Sequence, residues 1–157
     1  MTMKEKKFIL CVDDEKIVLD SLKIQLKQHF KSDCIIETAE SGEEALEVIE
    51  DYKEDGVLPQ VIISDQIMPN MRGSELLETI HNNYPEILKI LLTGQADKND
   101  VIEAVNNAGL YRYFAKPWDK MDLNITVSEA LVSFQKDKEL ETQRKQLIVL
   151  NLSLIHI

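Results

Sequence analysis

Phe8-Ile9-Leu10-Cys11-Val12 runs without interruption into Asp13-Asp14, and Val61-Ile62-Ile63-Ser64 runs the same way into Asp65. Two more segments repeat the pattern: Ile87-Leu88-Lys89-Ile90-Leu91-Leu92 ends at Thr93, and Tyr111-Arg112-Tyr113-Phe114-Ala115 ends at Lys116-Pro117. Short apolar runs of this kind, each followed by a helix-like segment, read as strands of a parallel sheet covered on both faces. Open sheets of that class place ligand sites at strand C-termini, so the polar residues closing the runs fall on one edge.

Between the strands the spacing predicts helices. Ile17, Leu19, Leu22, Ile24, Leu26 and Phe30 recur at mostly helical intervals through about His29, and 34–38 is a short strand. Ser41-Gly42-Glu43-Glu44 has Ser and Glu at the capping-box interval and opens a second helix, bracketed off by Gly56 and Pro59. A third helix over 72–83 stops before Tyr84-Pro85, because the residue preceding proline disfavours α geometry. A fourth covers 96–107, with Gly109 as its stop. From Asp119 no helix breaker remains, so the last helix is longer than the domain needs. Strands alternating with helices predict an α/β fold, a doubly wound five-stranded parallel sheet with helices on both faces and an extended C-terminal helix.

The chain of 157 residues has room for one domain plus a tail. Its net charge of -10, from 18 basic and 28 acidic residues, opposes sequence-independent attraction to phosphate backbones or anionic bilayers. No direct nucleic-acid partner and no membrane association are expected. Cys11 and Cys34 show no paired spacing, and Cys11 lies in a strand where it acts as a small hydrophobe, so a reducing, cytoplasmic setting is expected. The basic start, Met1 to Lys7, is followed by an apolar run too short for a signal peptide or a membrane span.

Asp13, Asp14 and Asp65 would crowd three carboxylates together, and such a cluster repels itself unless a hard cation such as Mg2+ is present. Asp65 is also suited to attack phosphorus, since carboxylates are covalent nucleophiles in phosphoryl transfer. The metal, the Lys116 ammonium and the Thr93 hydroxyl would then share the charge developing on the phosphoryl oxygens. Taken singly, each has a plainer explanation: an Asp at a strand end usually serves a turn or cap, and Asp13-Asp14 would suit a helix dipole. Their joint occurrence after four strands, on one edge, favours a site. His29, His81 and His156 have no ligand partner at metal spacing and read as surface residues. Met68, Met71 and Met121 read as packing and loop residues, and there is no nucleophile elbow or Gly-rich phosphate loop.

The chain resembles the receiver (CheY-like) domain of bacterial two-component response regulators. The resemblance is carried by Ile9-Leu10-Cys11-Val12-Asp13-Asp14-Glu15, Ser64-Asp65-Gln66-Ile67-Met68-Pro69, Gly73, Leu92-Thr93-Gly94-Gln95 and Tyr113-Phe114-Ala115-Lys116-Pro117-Trp118, within 5–131. It implies a flavodoxin-like sheet of order 2-1-3-4-5, and a signalling module rather than an enzyme. It implies that Asp65 is the phospho-acceptor, charged by a sensor histidine kinase or phosphotransfer protein. Mg2+ would be held by Asp14, Asp65 and the Ile67 carbonyl, with Asp13 acting partly through water. Thr93 and Lys116 would contact the phosphoryl group, and the Lys116-Pro117 bond would be cis. Thr93 would move toward the phosphoryl group, the Tyr113 ring would fill the space it leaves, and the face of the fourth helix, fifth strand and last helix would change. Ile67 and Gln95 would flank the path of hydrolytic water, and an apolar group at 67 implies a fairly long-lived phosphoryl state.

Beyond the resemblance, 132–157 reads as a helical extension, charged over 135–146, which is either the tail of a stand-alone receiver or, the reading favoured, a linker truncated before an output domain. The motif variants resemble receivers that precede cyclic-dinucleotide phosphodiesterase, cyclase or kinase domains. Leu140, Leu147 and Leu154 keep heptad spacing, so homodimerisation through this helix, or through the face that switches, is a second expectation, although Arg144 sits on the would-be seam. Leu152-Ser153-Leu154-Ile155-His156-Ile157 resembles an in-frame translation of a transposon-end sequencing adapter and carries no fold argument on that reading. The competing enzyme class is a small phosphohydrolase of the haloacid-dehalogenase type. It wants an Asp-x-Asp pair after the first strand, which Asp13-Asp14-Glu15 lacks.

Overall fold

The central strand β3 (Val61–Asp65) is buried along its whole length, between β1 (Lys7–Val12) on one side and β4 (Leu88–Thr93) on the other. The computed structural model describes residues 6–94 and 98–155. β2 (Cys34–Ala39) and β5 (Arg112–Ala115) form the edges, every pair is parallel, and the order is β2-β1-β3-β4-β5. The chain therefore has the flavodoxin-like, doubly wound sheet that its sequence predicts. β1 and β3 are in register at Val12 and Ser64, and β4 and β5 at Thr93 and Ala115.

Successive strand residues point to opposite faces, which explains why the runs are continuously apolar. Phe8, Leu10, Val12, Ile62 and Leu91 pack with Ala45 and Ile49 of α2 (Gly42–Glu54), Leu76, Leu77 and Ile80 of α3 (Gly73–Asn83), and Ala104 and Ala108 of α4 (Lys98–Ala108). Ile9, Cys11, Val61, Ile63, Ile90 and Leu92 face Leu19, Leu22 and Leu26 of α1 (Lys16–Phe30) and Leu123, Val127, Ala130 and Leu131 of α5 (Lys120–Ile155). Each Val, Leu, Ile or Phe among them taken fully out of water contributes roughly 2 kcal/mol.

Several local expectations needed correction. Ile17 and Ile24, seven residues apart, are 85% and 58% exposed, so the buried stripe of α1 is Leu19, Leu22 and Leu26 together with the amide of Gln25. The capping box at Ser41 forms only in part: Ser41 Oγ accepts from the Glu44 N–H at 3.0 Å, but Glu44 Oε2 accepts from the Glu40 N–H, one residue early. β5 starts at Arg112 rather than Tyr111. The Ala96 end of the fourth helix lies outside the described residues, and its other end reaches Ala108. Met68 is buried and Met71 sits against Gly42, but Met121 is exposed.

His81 is not a free surface residue. Lys89, hidden inside a run read as apolar, is buried, and its Nζ lies 3.0 Å from His81 Nδ1 and 3.4 Å from the Pro85 carbonyl. His29 is exposed beside Ser128, and His156 lies outside the described residues. Packing of α5 against the sheet runs through Phe134. Beyond it Asp137 and Glu141 still border a cleft with Leu58 and Pro59, while Leu140 and Leu147 are exposed. No helix among the described residues is long and apolar enough to cross a membrane.

Candidate functional site

β1 and β3 are neighbours, yet the chain leaves β1 toward β2 on one side and reaches β3 on the other, so their C-terminal ends flank the point where the winding reverses. Asp13 and Asp14 follow β1 there, and Asp65 ends β3. Each offers a carboxylate oxygen, and these oxygens lie within 4.8 Å of one another. Asp13 and Asp65 are buried, whereas Asp14 is exposed. Asp13 Oδ1 accepts from the Glu15 N–H at 2.9 Å, which turns the chain from β1 into α1 and leaves Oδ2 for the cleft.

Lys116 occupies that cleft. Its Nζ donates to Asp13 Oδ2 at 2.9 Å and lies 2.9 Å from Asp65 Oδ1. Its backbone N–H donates to the Thr93 carbonyl at 2.8 Å, which ties the segment after β5 to the end of β4. The Lys116-Pro117 bond is cis. Burial raises the Asp65 carboxyl above the usual aspartate value and Asp13 adds to this, while the Lys116 ammonium opposes both. Burial works against the Lys116 ammonium as well, but its hydrogen bonds to Asp65 and Asp13 outweigh it and hold the lysine above its ordinary value.

The segment after Asp65 is held by contacts that the sequence pattern did not reveal. Gln66 is fully buried; its Oε1 accepts from the Ser74 N–H at 2.7 Å and its Nε2 donates to Ser74 Oγ at 3.0 Å, capping the start of α3. The Gly73 N–H donates to the Gln66 carbonyl at 3.0 Å, and a Cβ at Gly73 would overlap the Asp65 carbonyl oxygen. Gly73 is therefore required for close approach of two backbones, not for a left-handed turn. The only available signal for Gln66 was its position beside Asp65.

Thr93 is buried at the end of β4, and Ile67 is exposed beside the acidic cluster's strand. Tyr113 shares the sheet face of Thr93 by register and is 55% exposed. Gln95 lies outside the described residues. Three carboxylates at this spacing, one open to solvent, suit a small hard cation that keeps several waters. The same cleft presents a carboxylate and an ammonium to any incoming phosphoryl group.

A family model described as the response regulator receiver domain matches residues 9–128. The hydrogenase transcriptional regulatory protein HoxA of Cupriavidus necator is 36% identical over 78% of this chain, and that of Bradyrhizobium diazoefficiens 32% identical over 85%. The chain spans about a quarter of the length of these curated relatives, 24% and 26% respectively. Among solved structures, the signal receiver domain of an HD domain-containing protein from Pseudomonas fluorescens Pf-5 superposes with a TM-score of 0.75 at 30% identity. That match covers 84% of this chain and 99% of the other.

Proposed function

The chain belongs to the response regulator receiver domain family, the phosphorylation-accepting signalling domain of two-component systems, and on that premise we propose that Asp65 is its phospho-acceptor. The observation that carries this reading is the bridge of the Lys116 ammonium between Asp13 and Asp65, 2.9 Å from each. Asp65 Oδ attacks the phosphorus of a phosphohistidine on a sensor histidine kinase or phosphotransfer protein. The new O–P bond forms as the P–N bond breaks, and the departing imidazole takes up a proton. Lys116 would meet the arriving phosphoryl oxygens from this bridge, and the Thr93 hydroxyl would meet another.

Asp13, Asp14, Asp65 and the Ile67 carbonyl would hold Mg2+, which when bound neutralises charge on the transferring group. Asp14 and Asp65 would ligate directly and Asp13 partly through water. On phosphorylation Thr93 is drawn to the phosphoryl group, and Tyr113 turns inward on the same sheet face. The surface of α4, β5 and α5 then changes its partner, which is an output domain or a second copy. In this reading 5–131 is the receiver, 132–157 a helical linker toward an output domain, and the compartment cytoplasmic. The test is intact-mass measurement after incubation with acetyl phosphate and Mg2+. The protein gains one phosphoryl group and its Asp65→Asn variant gains none. Equal labelling of the two refutes the assignment.

A further inference from the structure

Lys116 must reach Asp13 across two strands, because β3 and β4 separate β1 from β5 in the sheet. An ion pair at the end of a long side chain does not by itself fix that distance. A buried amide on the other side of the sheet edge spans the same gap. Gln25, on α1, is only 6% exposed, and its side chain is shared among three partners. Its Oε1 accepts from Trp118 Nε1 at 3.0 Å, and its Nε2 donates to the Lys120 carbonyl at 3.0 Å and to Asn124 Oδ1 at 2.9 Å.

These partners belong to the segment that leaves Lys116 and enters α5. Trp118 is two residues beyond Lys116 and packs against the α1–α5 core, while Lys120 opens α5 and Asn124 lies one turn further on. α1 itself begins directly after Asp13, Asp14 and Glu15. Gln25 thus braces the element that follows the acidic end of β1 against the element that follows the lysine end of β5. With the Lys116 N–H bonded to Thr93, the 116–120 segment is held at both ends. Resting on the phospho-acceptor reading above, we propose that Gln25 is a positioning residue for phosphoryl transfer. It touches no reacting group, yet it sets where the Lys116 ammonium stands relative to Asp65.

Because a small misplacement of a charge-stabilising group has a large kinetic effect, Gln25→Met, which keeps length but loses all three hydrogen bonds, should slow labelling by acetyl phosphate about tenfold at saturating Mg2+. The slowing must act through the lysine. In a Lys116→Met background, Gln25→Met should add no further slowing, a coupling that a merely structural role would not produce. Trp118→Phe, which removes only the indole N–H, should slow labelling in the same direction and again only when Lys116 is present. It carries the test should Gln25→Met fail to fold. Labelling of these variants at the wild-type rate, or an equal slowing with and without Lys116, overturns the proposal. A wild-type protein that never labels is a different result, and refutes the reading on which the proposal rests.

Discussion

Lys116 Nζ stands 2.9 Å from Asp65 Oδ1 and equally close to Asp13 Oδ2, so the ammonium neutralises the two carboxylates that a divalent cation would also claim. The lysine and the metal therefore compete electrostatically for the same oxygens, while both favour the phosphoryl group. Replacing Lys116 by Met should act in opposite directions on two measurements. Mg2+ should bind more tightly, because a neighbouring positive charge is gone. Phosphoryl transfer from acetyl phosphate should slow on the order of a hundredfold, the scale of losing a donor to developing negative charge. Calorimetric titration with Mg2+ and a labelling time course separate the effects, and weaker metal binding in the variant would contradict this account.

Asp14 differs from its two neighbours in being exposed, so it can be changed without opening the core. Asp14→Asn removes one of three carboxylates that repel each other and keeps the side chain's shape. Mg2+ affinity should fall by more than the ten- to roughly hundredfold typical of losing even a supporting partner. Metal-free thermal stability should hold or rise slightly, because like-charge repulsion is relieved. A variant that loses stability without Mg2+ while keeping wild-type affinity would rule out Asp14 as a ligand.

The contact between Gly73 and the Asp65 carbonyl makes a sharper demand. A Cβ built at Gly73 would overlap that oxygen and come within 3.0 Å of Leu91 Cδ1, so Gly73→Ala must push α3 away from β3. Overpacking of this kind costs about 1–3 kcal/mol. Here it should also displace the segment through Gln66 that leads away from Asp65. Urea unfolding should show the destabilisation, and labelling should slow in parallel. Full stability with normal labelling would mean that the close approach is dispensable.

Most of the fold was legible because both faces of the inner sheet are covered, which turns β1, β3 and, but for Lys89, β4 into apolar runs with a polar stop. The stops at Asp13, Asp14, Asp65, Thr93 and Lys116 were legible for the same reason: a parallel sheet delivers them to one edge. Pattern reading failed where a side chain's role depends on a partner distant in sequence. Ile17 and Ile24 look like core in a helical count, but the sheet covers only one stripe of α1. Gln25 looks like a solvated position until Trp118 and Asn124, 93 and 99 residues away, arrive on it. Lys89 fails for a different reason: His81 is only eight residues away, but no helix or strand period links the two positions.

Lys89 provides the remaining prediction. It is 2% exposed, and its Nζ sits against His81 Nδ1 and the Pro85 carbonyl, so burial pulls its pKa down to about 8 from 10.5. Between those values the unfolded chain holds a proton that the folded one has released. Stability therefore increases with pH across the window, by no more than about 3 kcal/mol. Burial, and then Lys89, lower His81 from its ordinary 6.5 as well, so stability should fall again as pH drops below that value. Lys89→Met retains the stem without the charge. It should be more stable than the wild type at and below pH 8, with the advantage shrinking toward pH 10.5 as the wild-type amine becomes neutral in both states. Urea midpoints measured on both proteins across that range give the difference directly. A difference independent of pH would mean that the folded protein accommodates the ammonium as well as water does.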